Sequence, residues 1–205
     1  RLTIRALRQT SPVQFGQRVP YTSAKIDTRG LFSFCYGKVE FRARCPLGTG
    51  LWPAVWMMPE DHVYGPWARS GEIDILEAMG RCPDLVCGTI HYGGPPQNKT
   101  DKVIPIGFRS AQQFMTSILR PALGADAAAM DVDGICYSSI STWGSCPGVE
   151  PKLSFPQPFD QKFYLIINLA VGGWFDPEAN GIVDNTAFPA DFEIDYIRVY
   201  QQHKA

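Results

Sequence analysis

Gly71-Glu72-Ile73-Asp74-Ile75-Leu76-Glu77 is the stretch from which the rest of the 205-residue chain is read. Acids alternate with β-branched and apolar residues, the pattern of a β-strand whose side chains point to opposite faces with period two. Glu72 and Asp74 therefore share one face, and Ile73 and Ile75 the other. Glu77 breaks the alternation. A regular strand would turn it in among the isoleucines, and an unpaired carboxylate is costly there. A one-residue β-bulge at Ile75-Leu76 removes the conflict. Both apolar residues then face the core, and Glu77 returns to the side of Glu72 and Asp74.

Three crowded acids have three readings. They are a solvated strand face, a site for a hard cation such as calcium, or the carboxyls of a retaining glycosidase, about 5–5.5 Å apart. The neighbouring stretch Gly50-Leu51-Trp52-Pro53-Ala54-Val55-Trp56-Met57-Met58 bears on the choice. Period two puts Trp52 and Trp56 on one face. An indole offers a flat apolar surface to the C–H face of a sugar, plus one N–H donor. Acids beside tryptophans read as a sugar cleft more than as a metal cage.

Outward from this stretch the chain reads as strands and turns. Strands are expected at Leu2 to Ala6, Tyr21 to Thr28, Leu31 to Tyr36, Lys38 to Cys45, Val86 to Tyr92 and Phe163 to Val171. Lys38 to Cys45 alternates cleanly, as a half-buried antiparallel strand does. Residues 9–20 and 93–105 are turn-rich and read as loops. No helical periodicity is sustained. Many short strands with turn signals imply an all-β sandwich of two antiparallel sheets.

Gly71 to Glu77 resembles the catalytic signature of glycoside hydrolase family 16, in its bulged form, and Leu51 to Met57 resembles the preceding strand of the laminarinase branch. The likeness runs from about Tyr21 to Tyr92 and from Phe159 to Gln201. It implies an all-β jelly-roll sandwich of two curved antiparallel sheets, with an open cleft across the concave one. It also implies a single domain over residues 1–205 that lacks the family's usual first strands. Glu72 would be the nucleophile and Glu77 the acid/base, with Asp74 between them. Trp52, Trp56, His91, Trp174 and Arg42 match sugar-contacting positions, and Trp67, in the loop before the acid strand, is a further candidate at the cleft rim, with an exposed or core tryptophan as the alternative. For Arg42, as for Glu40, a charge pair with a neighbouring strand is an equal alternative. Asp195 matches a carboxylate that binds structural calcium in many relatives; no other cofactor is implied. The implied reaction is internal hydrolysis of β-1,3- or mixed β-1,3/1,4-glucan. Two rivals stay open. A non-catalytic glucan-recognition module keeps this fold but loses the acids, and a galactan endo-hydrolase keeps the acids and differs in its loops.

Composition narrows the partners. Nineteen basic and 20 acidic residues leave a net charge of −1, which gives no electrostatic handle for nucleic acid. No apolar run approaches a membrane span. The expected partner is a β-glucan polymer, and the expected state a monomer. The six cysteines lack paired C-x-x-C spacing, and with three histidines a zinc site is disfavoured. Disulfides of a secreted, extracellular protein are the better reading. Sequence proximity favours Cys82–Cys87 and Cys136–Cys146, which leaves Cys35–Cys45.

Overall fold

A computed structural model describes residues 1–9, 20–93, 99–105, 115–121, 128–140, 143 and 151–201. Its strands, in chain order, are β1 (Leu2–Arg8), β2 (Tyr21–Thr22), β3 (Lys25–Asp27), β4 (Ser33–Phe34), β5 (Lys38–Arg44), β6 (Leu51–Pro59) and β7 (Glu72–Glu77). They continue with β8 (Leu85–His91), β9 (Lys99–Pro105), β10 (Met115–Pro121), β11 (Ala128–Val132), β12 (Ile135–Ile140), β13 (Phe163–Val171) and β14 (Ala190–Tyr200). Among the described residues there is no α-helix, only a short 3-10 turn at Asn185–Ala187.

Two antiparallel sheets face each other. One has the order β12-β11-β10-β5-β14-β1-β2, the other β3-β13-β6-β7-β8-β9, with β4 also on β13. The chain passes between them repeatedly: β5 to β6, β9 to β10, β12 to β13 and β13 to β14 all change sheet. This is the two-sheet sandwich the patterning implied, in the jelly-roll form the resemblance implied. β5 shows the physical basis. Val39, Phe41 and Ala43 are fully buried, while Lys38, Glu40, Arg42 and Arg44 alternate with them on the outer face. Phe41 and Phe192 from the first sheet meet Leu51, Val55, Ile75, Leu76 and Leu169 from the second in one core. Burial of such side chains contributes about 1.5–3 kcal/mol each relative to leaving them exposed.

Three expectations are corrected. Tyr21 to Thr28 is two strands: β2 pairs with β1 in the first sheet and β3 with β13 in the second. The backbone changes sheet at Ser23-Ala24, a step that no hydrophobic period marks. Half of the expected loop at 93–105 is β9, paired along its length with β8. An edge strand tolerates a sequence as polar as Lys99-Thr100-Asp101-Lys102.

The third correction concerns cysteines. Neither Cys35–Cys45 nor Cys82–Cys87 is bridged. Cys35 precedes β5 and Cys45 follows it. Seven extended residues span about 23 Å, so neighbours in sequence end far apart. Cys87 is carried away from the turn at Cys82 in the same manner by the start of β8. Cys146 lies outside the described residues, so the pairing with Cys136 does too.

Candidate active site

β7 runs between β6 and β8, and its register carries the local irregularity. Against β6, Leu76 pairs with Val55 but Asp74 already pairs with Trp56, which leaves Ile75 over. Against β8, Asp74 pairs with Thr89 and Glu77 with Cys87. The bulge therefore lies at Ile75-Leu76, where the clash of Glu77 with the alternation put it. Ile75 and Leu76 are both 0% exposed. Glu72, Asp74 and Glu77 line one open cleft of about 1290 Å³ on the sheet's outer face.

The three acids sit in unlike surroundings. Glu72 accepts a hydrogen bond from Trp67 Nε1. Asp74 is 3% exposed, and its Oδ2 lies 3.0 Å from His91 Nε2. Glu77 Oε1 accepts from Trp52 Nε1 at 3.1 Å. Burial at the cleft floor, then the charge of Asp74, pushes Glu77 from 4.5 up to about 8. The Trp52 bond and His91 pull the other way, and Glu72 adds a smaller upward push. An acid that keeps its proton beside carboxylates in different settings is the usual division between proton donor and nucleophile.

Aromatic side chains form the walls. Trp52 and Trp56 lie on the acid-bearing face, as period two required, since Trp56 is directly opposite Asp74. Trp56 Nε1 donates to Asn168 Oδ1 at 2.7 Å. Phe175 lies flat on Trp52, with ring centroids 4.7 Å apart and planes 8° from parallel. Trp174 meets Trp52 edge-on at 5.5 Å and is 75% exposed, which leaves its face open to a ligand. Gly172 and Gly173 turn the chain here at φ +75° and +97°, a region that glycine adopts readily. A Cβ at Gly173 would rest in ordinary contact with the Trp52 ring at 3.4 Å, so the backbone angle is what calls for glycine. Trp67 is 50% exposed at the opposite rim. Its loop is held by Ser70, which bonds Gly65 O at 2.6 Å and Tyr64 N at 3.1 Å.

Arg42 and Asp195 are elsewhere. Arg42 lies on the outer face of the first sheet, and Asp195 Oδ2 accepts from its Nη1 at 2.7 Å. This corrects its reading as a sugar contact: the polar face of β5 belongs to the sheet without the cleft. Arg1 Nε is a second cation, 3.9 Å from Asp195 Oδ1. Guanidinium groups at both oxygens do not make a calcium cage, which needs six or more oxygen ligands, so the residues present do not fit the ion. Among the described residues, only Glu72, Asp74 and His91 bring three ligand atoms together, within 4.8 Å of one another. Phe175, and Asn168 as Trp56's partner, were not foreseen. Asn168 is the one polar side chain in the apolar run of β13, and that is the signal that marks it.

The protein-family description "Glycosyl hydrolases family 16" matches residues 2–116. Over 98% of its length the chain is 40% identical to glucan endo-1,3-beta-glucosidase A1 of Niallia circulans, of which it covers 30%. It is 38% identical to glucan endo-1,3-beta-glucosidase of Cryptopygus antarcticus over 87% of this chain and 66% of that one. The chain thus spans between about a third and two thirds of the length of these curated relatives. The X-ray structure of the laminarinase from Rhodothermus marinus superposes with a TM-score of 0.80 at 35% identity, over 98% of this chain and 78% of that one.

Proposed function

Because the chain belongs to glycosyl hydrolase family 16, we propose that it cleaves internal β-1,3- or mixed β-1,3/1,4-glucosidic bonds of glucans such as laminarin, with retention. The observation that carries this reading is the bulge at Ile75, which turns Glu77 to the face of Glu72 and Asp74. Glu72 attacks the anomeric carbon, while Glu77 gives its proton to the departing oxygen. The covalent glycosyl-enzyme then reacts with water, which Glu77 deprotonates. Burial and the Asp74 charge keep Glu77 protonated for the first step. Trp52, bonded to one oxygen of Glu77, leaves the other to carry the proton toward the substrate. Trp67 steadies Glu72 in the same way.

An open cleft of this size suits a polymer, and the exposed face of Trp174 suits a sugar ring. Action outside the cell belongs to the same reading, since the substrate is a polymer. The test is a panel of laminarin, lichenan, agarose and xyloglucan, with product length followed in time. Rapid early loss of chain length from laminarin or lichenan is expected. Glucose released only from chain ends, turnover confined to agarose, or binding without turnover would each count against it.

A further inference from the structure

The bulge in β7 leaves a polar group inside the core. An extra residue in one strand disrupts the ladder locally. Ile75 is that residue, without a register partner in β6 or β8. Its carbonyl accepts a hydrogen bond at 2.6 Å from the hydroxyl of Tyr137, which comes from β12 in the opposite sheet. Tyr137 is itself a residue left over in its own ladder: Asp131 pairs with Cys136 and Met130 with Ser138. One irregularity thus meets the other across the sandwich. The site between them is closely fitted. A Cβ at Gly88, which faces the bulge from β8, would lie 2.7 Å from the Tyr137 hydroxyl and 2.3 Å from Met130 Sδ. Tyr137 is 2% exposed, so water does not substitute for its hydroxyl.

We infer that Tyr137 is a positioning residue for Glu77: its bond to Ile75 O fixes the bulge that aims the Glu77 carboxyl into the cleft. The inference rests on Glu77 being the acid/base. It names a role for a side chain that never reaches the cleft. Removal of the hydroxyl lets the bulge relax, and a displacement near 1 Å at a reacting group can cost about a hundredfold in rate. The acid/base group suffers most, because Glu77 follows the bulge and Glu72 precedes it.

The experiment compares two substrates in wild type, Tyr137→Phe and Glu77→Ala. Laminarin has a sugar leaving group that needs a proton, whereas a 2,4-dinitrophenyl β-oligoglucoside needs none. For Tyr137→Phe, kcat/KM on laminarin is expected to fall about 10–100-fold. On the aryl glycoside it should stay within about threefold of wild type, with KM for laminarin unchanged. Equal loss on both substrates, in step with the folded fraction by circular dichroism, would make Tyr137 merely structural and overturn the inference. Glu77→Ala should show the same split more strongly. If it does and Tyr137→Phe does not, the role of Tyr137 is refuted alone. If Glu77→Ala keeps laminarin activity, the acid/base assignment falls first. Gly88→Ala keeps the hydroxyl but drives it from Ile75, and should reproduce the split if Tyr137→Phe fails to fold. Failure of both to fold would overturn a role limited to positioning.

Discussion

Glu77 holds its proton into the neutral range for two reasons that mutation can separate. Burial comes first and the charge of Asp74 second. Asp74→Asn removes the charge and leaves the burial. The alkaline limb of kcat/KM, set by loss of the Glu77 proton, should then move about one unit lower from near pH 8. An unmoved limb would assign the shift to burial alone. The same raised value has a stability consequence. Between pH 4.5 and about 8 the unfolded chain has lost the Glu77 proton while the folded chain keeps it. Rising pH across that window therefore favours unfolding, and the penalty is complete above 8 and absent below 4.5. Glu77→Gln should stabilise the fold by about 1–3 kcal/mol near pH 7 and by almost nothing at pH 4, measured by denaturant unfolding. A stability gain that is the same at both pH values would mean that the carboxyl is not held neutral by the fold.

The element on which the site depends is the bulged strand β7, and its irregularity is legible because it is local. Glu77 cannot face the core, and no regular strand keeps it out. The mark of the bulge is that two consecutive side chains face inward. Ile75→Ala and Leu76→Ala should each cost about 2–5 kcal/mol in denaturant unfolding, the range for buried aliphatic truncation. In a regular strand one of the two would face the cleft and cost far less. Other elements give weaker signals. β14 carries a further bulge between Ile194 and Tyr196, which puts Asp195 and Tyr196 beside the outward Arg42. Tyr196 suits either face, so no conflict exposes the irregularity. β9 is polar enough to pass for a loop, because its strand character comes from pairing with β8.

At the scale of the molecule, the sequence patterns identify strands and their faces but not which sheet each strand joins. That is decided by register over long separations, such as β5 against β14 or β6 against β13. Arg42 is the clearest case. Its alternation on β5 is read correctly, yet the face it shares lies on the sheet remote from the cleft. The cysteines fail for the same reason, since proximity along an extended chain is distance in space. The acids and tryptophans succeed because β6 and β7 are adjacent both in sequence and in the sheet. The tilt of Trp174 over Trp52 and the stacking of Phe175 come from a turn whose path only the folded chain defines. The central claim is that one sheet face carries a nucleophile, Glu72, and a separate acid/base, Glu77. The most direct measurement is the anomeric configuration, by NMR, of the glycosyl azide formed from an activated aryl β-glycoside by each alanine variant. Glu77→Ala still forms the glycosyl-enzyme, so azide attacks that intermediate and gives the β-azide. Glu72→Ala forms no intermediate, so azide takes the nucleophile's place and gives the α-azide. Swapped products would reverse the two labels, and full activity in either variant would contradict the catalytic reading of β7.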